Sequence, residues 1–241
     1  MMRSGNPALQ GDVFTSAQSS SGEGAMTIQG TTNKALILLF LTVLSAGWTW
    51  SHTATAMMWV FPAAIAGFVI ALVTIFKKEW AAVTAPLYAL AEGVVLGGLS
   101  LYYEASFPGI VQQAVALTFG TLFCLLMAYK SGLIKPTENF KLGVFAATGG
   151  IAVLYLVDMV MHFFGARIPF IYQSGPIGIG FSVIVVIVAA LNLVMDFDFI
   201  ENGVDSGAPQ YMEWYGAFSL MVTLVWLYLE ILRLLAKSRR R

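Results

Sequence analysis

The sequence predicts an all-α integral membrane protein, a bundle of seven transmembrane helices, on three observations. The first is composition: 58% of the residues are hydrophobic and 11% are charged, against about 25% charged in an ordinary soluble domain. A soluble fold of this size has no means of hiding so much apolar surface, so the expected solvent is lipid. The second is run length. Seven apolar stretches approach the ~20 residues needed to cross a ~30 Å hydrocarbon layer at ~1.5 Å per residue: 35–51, 57–76, 82–103, 109–129, 142–164, 176–198 and 215–236. The third is what separates them. "SHTATA", "KKEW", "YEASFPG", "KSGLIKPTENFK", "GARIPFIYQSGP" and "ENGVDSGAPQYMEW" hold the expected breakers and charges.

Ahead of the first run, residues 1–33 are polar, small and rich in Gly and Ser, as in "SAQSSSGEGAM". They lack the apolar core of a secretory signal and read as a flexible polar tail, leaving 34–241 as a single seven-helix domain. Lys and Arg set the orientation. Arg3, Lys34, Lys77, Lys78, Lys130, Lys135 and Lys141 fall on the tail and on the loops after the second and fourth runs. The alternate loops carry only Arg167. This asymmetry predicts a cytoplasmic N-terminus and a multi-pass protein of the plasma (inner) membrane. Seven crossings then send the basic tail "KSRRR" outside, against the usual preference; one re-entrant run would keep it inside.

Thirteen basic residues balance thirteen acidic ones, so charge points to no nucleic acid partner. The single cysteine, Cys124, lies in an apolar run and is expected to serve packing. No phosphate loop, HExxH or Cys/His cluster is present, so neither an enzyme nor a resident cofactor is expected.

Ionisable residues within a span are costly and are candidate functional sites. Glu92 lies mid-run in "YALAEGVVLGGLS", followed by Gly93 and Gly97 at a spacing that lets helix backbones approach closely. It reads either as a packing-face carboxylate or as an acid lining a polar path. Asp158 and His162 are one helical turn apart and are placed to pair, as an outer-interface pair or as an ion entry site. Asn192 and Asp196 share a face near the end of the sixth run, while Asp198 points about 200° away and is the wetter acid. Acids at a helix C-terminus oppose the helix dipole, which at Asp196 favours a counter-cation, a bound metal ion or a retained proton. Glu230 and Arg233, three apart, read as a neutralising pair.

Seven compact runs, "AEG" in the third and "MDFDFIENG" closing the sixth resemble the transmembrane Bax inhibitor motif family, Bax inhibitor-1/YccA-like, from about Lys34 to Lys237. The resemblance implies six helices around a central, C-terminal seventh. It also implies a pH-sensitive calcium leak channel in which two aspartates, on the sixth and seventh helices, share protons and control opening. Asp196 matches the first, in the pattern D-x-x-x-I-x-x-G, and Glu92 matches the acid of the family's E-G pair. The seventh run departs from the pattern: "AFSLMVTL" holds no carboxylate, so the partner of Asp196 is left open among Asp198, Glu213 and Glu92. Calcium and protons are the implied cargo and signal, with the lipid bilayer as surroundings. Another branch of the family implies a different role, a non-transporting regulator that binds a membrane-bound AAA protease. A proton-coupled transporter of a small solute is the third reading.

Overall fold

The computed structural model describes residues 24–240. Among them are seven helices long and apolar enough to cross a membrane: α1 (Ile28–Ser51), α2 (Thr53–Phe76), α3 (Ala81–Ser106), α4 (Ile110–Lys130), α5 (Glu138–Phe163), α6 (Pro176–Asp205) and α7 (Met212–Arg239). A 3₁₀ turn, Lys78–Trp80, leads into α3, and a single helical turn, Pro169–Tyr172, lies between α5 and α6. The all-α membrane bundle expected from composition and run length is therefore what the chain forms.

The helix ends follow local chemistry. Thr27 caps α1 by accepting from the Gly30 amide at 2.9 Å, and Thr137 caps α5 by accepting from Phe140 at 3.3 Å. The tight turn into α4 uses Gly109 at φ +79°, a conformation that disfavours any Cβ. The Glu104 carboxylate closes that turn, accepting from the Gly109 and Val111 amides at 2.6 and 3.1 Å.

Two boundaries differ from the sequence reading. α1 begins at Ile28, inside the stretch assigned to the tail, because Thr27 supplies its cap; residues 1–23 of that stretch lie outside the described residues. α6 runs on to Asp205, so Asp196 and Asp198 are interior helical residues rather than a helix end, and the dipole argument does not apply to them. Gly203 is absorbed within the helix, and the chain turns only at Gly207, φ +67°.

The chain divides into two units. One runs to Leu99 and resumes over Asp198–Met221; the other takes Ser100–Phe197 and everything from Val222 onward.

In the first unit α1 and α3 touch backbone to backbone. Ser45 Oγ donates to the Leu90 carbonyl at 2.6 Å, and Thr42 Oγ1 reaches the Ala89 carbonyl at 3.3 Å. A Cβ at Gly93 would run into the Thr42 carbonyl, and one at Gly97 would lie 2.8 Å from the Ala46 carbonyl. The glycine pair is thus the close-approach face that its spacing predicts. Around the start of α7, Met26, Ala81, Ala208, Met212 and Tyr215 form a buried cluster.

In the second unit Ile151, Val185 and Val188 pack with Tyr155, Phe181 and Trp226. Ser100 and Tyr228 share a buried hydrogen bond of 2.7 Å. Cys124, expected to pack, is instead exposed on α4, a helix with only 17% of its apolar window buried. The corresponding share is 56% for α7 and 11% for α2, so the C-terminal helix is the most enclosed span.

The start of α1 meets the start of α7 through Thr27, Lys34 and Glu213. The far end of α7 meets the starts of α4 and α6, through Arg239 with Pro108 and Gln113 and through Lys237 with Gly178.

Candidate functional site: buried carboxylates along the last two spans

Among the described residues four carboxylates are under a tenth exposed: Asp158, Asp196, Glu213 and Glu230. Each is held differently.

Asp196 is 7% exposed on α6, among the buried Leu193, Val194 and Phe197. The Phe197 ring lies against Tyr129 of α4, centroids 5.8 Å apart. Asn192, one turn earlier, is half-buried; its Nδ2 donates to Thr148 Oγ1 and to the Val188 carbonyl, each at 2.8 Å. Asp198 is half-buried and falls in the other unit.

Glu213 occupies the first turn of α7 and is 2% exposed. Oε1 accepts from the Thr27 amide and from Thr27 Oγ1, both at 2.8 Å. Oε2 forms an ion pair with Lys34 Nζ, and the same ammonium lies 5.6 Å from the centre of the Trp214 ring. A carboxylate in a helix's first turn also suits the dipole. Upstream, the Met26 amide donates to the Ala208 carbonyl at 2.7 Å, tying the approach to α1 onto the α6–α7 loop.

Glu230 and Arg233 pair as their spacing predicts, with Nη1 at 2.9 Å from Oε1. Tyr155 of α5 joins them: its hydroxyl donates to Glu230 Oε1 at 2.9 Å and accepts from Arg233 Nη1 at 2.6 Å. The guanidinium also sits over the Tyr155 ring at 5.2 Å.

Asp158 and His162 do not form the direct pair their spacing suggests. Asp158 accepts from the Ile168 amide at 2.9 Å and from the Tyr172 hydroxyl at 2.5 Å. His162 Nδ1 is met by Arg167 Nε at 3.1 Å. The loop after α5 folds back and supplies better donors than the histidine. The hydrogen bond to Asp158, and then partial shelter from water, push the Tyr172 phenol above its ordinary range.

Glu92 is half-buried and hydrogen-bonded to Tyr88, one turn earlier on α3. Its carboxylate faces α2, where a Cβ at Gly67 would stand 3.6 Å from Oε2.

Sequence reasoning missed Thr27 and Lys34 as partners of Glu213, Tyr155 as the third member of the Glu230 group, Tyr172, and the buried Lys237. Spacing carried a signal for the last alone. Glu230, Arg233 and Lys237 recur at three and four residues, so they share a face of α7. Among the described residues no three His, Cys, Asp or Glu side chains converge as a metal-holding group.

Seven apolar helices carrying buried carboxylates define a multi-pass α-helical membrane protein. The family model described as "Bax inhibitor 1 like" matches residues 6–240, and the chain belongs to that family. No curated protein matches it at significant similarity.

Proposed function

We propose that this protein is a pH-sensitive calcium leak channel of the plasma membrane, gated by protonation of a buried carboxylate, with its N-terminus in the cytoplasm. The supporting observation is Asp196, 7% exposed in the interior of an apolar spanning helix. A carboxylate so placed changes from neutral to anionic by losing one proton, and only the anionic form is a hard oxygen ligand of the kind calcium prefers. Protonated, Asp196 leaves an apolar seam that excludes ions. Deprotonated, it provides a point of attraction and a charge that the seam accommodates only by loosening. Calcium here is cargo, met by single carboxylates along a route, in keeping with the absence of a metal-holding group among the described residues. Half-buried Glu92 and Asp198 are secondary acids, while Glu213 is engaged by Lys34 and serves as an anchor.

The test uses the full-length chain in lipid vesicles loaded with a calcium dye. Calcium entry above that of empty vesicles, changing with pH, is the expected result. Entry indistinguishable from empty vesicles at every pH would leave the protease-binding regulator as the better reading. Deletion of residues 1–23 then probes partner binding without cutting the Thr27 and Lys34 contacts to Glu213.

A further inference from the structure

A lysine near the end of a spanning helix ordinarily extends its ammonium to the interface. Ser238, Arg239 and Arg240 are exposed at the end of α7, but Lys237 is 4% exposed and turned inward. Its Nζ donates to the Gly178 carbonyl at 3.0 Å and to Ser182 Oγ at 2.8 Å. The Phe181 ring centre lies 6.0 Å away. Arg233, one turn earlier, has Glu230 as its counter-charge. Among the described residues no carboxylate lies within ion-pair distance of Lys237; its direct partners are dipoles, a carbonyl, a hydroxyl and the C-terminal end of its own helix, while Glu230 and Arg233, of opposite sign, act on it from further off. A buried charge with no acid in direct contact is costly to keep, and repulsion of another cation is a use that warrants it.

The face of α6 on which Lys237 docks also carries an acid. Ser182 and Asp196 are fourteen residues apart, about 21 Å along the axis at ~1.5 Å per residue. Fourteen residues are close to four full turns, so the two lie on one face, together with Val185, Ala189 and Asn192 between them. All five are buried except Asn192, which is half-buried and hydrogen-bonded. One inward face of α6 therefore carries a carboxylate toward one end and the lysine's acceptor at the other.

We propose that Lys237 is an electrostatic lock at the C-terminal mouth of the cation route, and that it discriminates against divalent ions; this rests on the channel reading above. Repulsion between the ammonium and a passing ion scales with the ion's charge. The lock therefore holds back calcium more than potassium, keeping the route a slow leak.

The experiment compares calcium and potassium flux through the full-length protein and its Lys237→Met and Lys237→Arg variants in vesicles. Lys237→Met, of similar length but uncharged, is expected to raise calcium flux on the order of tenfold and potassium flux by less. Lys237→Arg keeps the charge and is expected to keep the wild-type ratio. Lys237→Gln retains donors for Gly178 and Ser182 and is expected to shift the ratio as Met does, which serves if the Met variant does not fold. Flux with an unchanged calcium-to-potassium ratio in the uncharged variants overturns the lock alone. No flux from any form of the protein overturns the channel reading and the lock with it.

Discussion

At the start of α7, Glu213 meets one lysine and two donors of Thr27; near its end, Glu230 meets one arginine and a tyrosine, and Lys237 follows with no acid of its own. The first arrangement is neutral and draws its donors from the approach to α1, far away in sequence. The second has a positive surplus and is built within α5, α6 and α7. A balanced buried pair mainly fixes position, because removing either partner leaves a charge stranded. A surplus charge acts on whatever ion comes near. The start of α7 is thus an anchor, while on the channel proposal Asp196 and Lys237 of the second unit are the groups that act on ions.

The comparison breaks most visibly at Glu213. Glu213→Gln strands Lys34 and weakens both Thr27 contacts, and is expected to lower stability by about 3 kcal/mol, read as a lower thermal unfolding midpoint in detergent. An unchanged midpoint would remove the anchor from the account. Glu230→Gln is expected to be milder, about 2 kcal/mol, because Arg233 keeps the Tyr155 hydroxyl and ring. A loss equal to or larger than that of Glu213→Gln would reverse the ranking of the two ends.

The smallest effect belongs to Tyr172. Its phenol is raised above the ordinary value of 10.0 by its hydrogen bond to Asp158. With the folded value above the unfolded one, that contribution is fully present below pH 10 and is lost as pH rises through the folded value. Tyrosine absorbance during alkaline titration is expected to show one late phenol that becomes earlier in Asp158→Asn. An identical titration of the variant would rule out the Asp158–Tyr172 bond.

Much of this architecture is legible in the sequence because lipid constrains a helix at the scale of a run. Some twenty apolar residues suffice to announce a span, and the Gly93–Gly97 spacing announces a close helix contact. Pairings within one turn are legible for a similar reason: Glu230 and Arg233 meet because the helix brings them together. The same rule fails for Asp158 and His162, where donors on the following loop compete successfully. Partners brought from afar are not legible. Thr27 sits in a stretch whose composition reads as tail, and nothing in "MTIQG" points to Glu213, 186 residues later. The end of α6 was misplaced because acids and Gly203 suggest a boundary, while the helix continues to a turn set by Gly207. Lys237 is only half legible: its spacing from Glu230 and Arg233 puts it on their face, while "KSRRR" reads as a solvated basic tail.

The most direct test of the gating claim is calcium entry into vesicles holding Asp196→Asn, measured beside the wild-type protein across a range of pH. Asparagine keeps the shape of a protonated aspartate and carries no titrating proton. The expected result is a flux that varies with pH in the wild type and is flat in the variant. A variant that keeps the wild-type pH profile would contradict it.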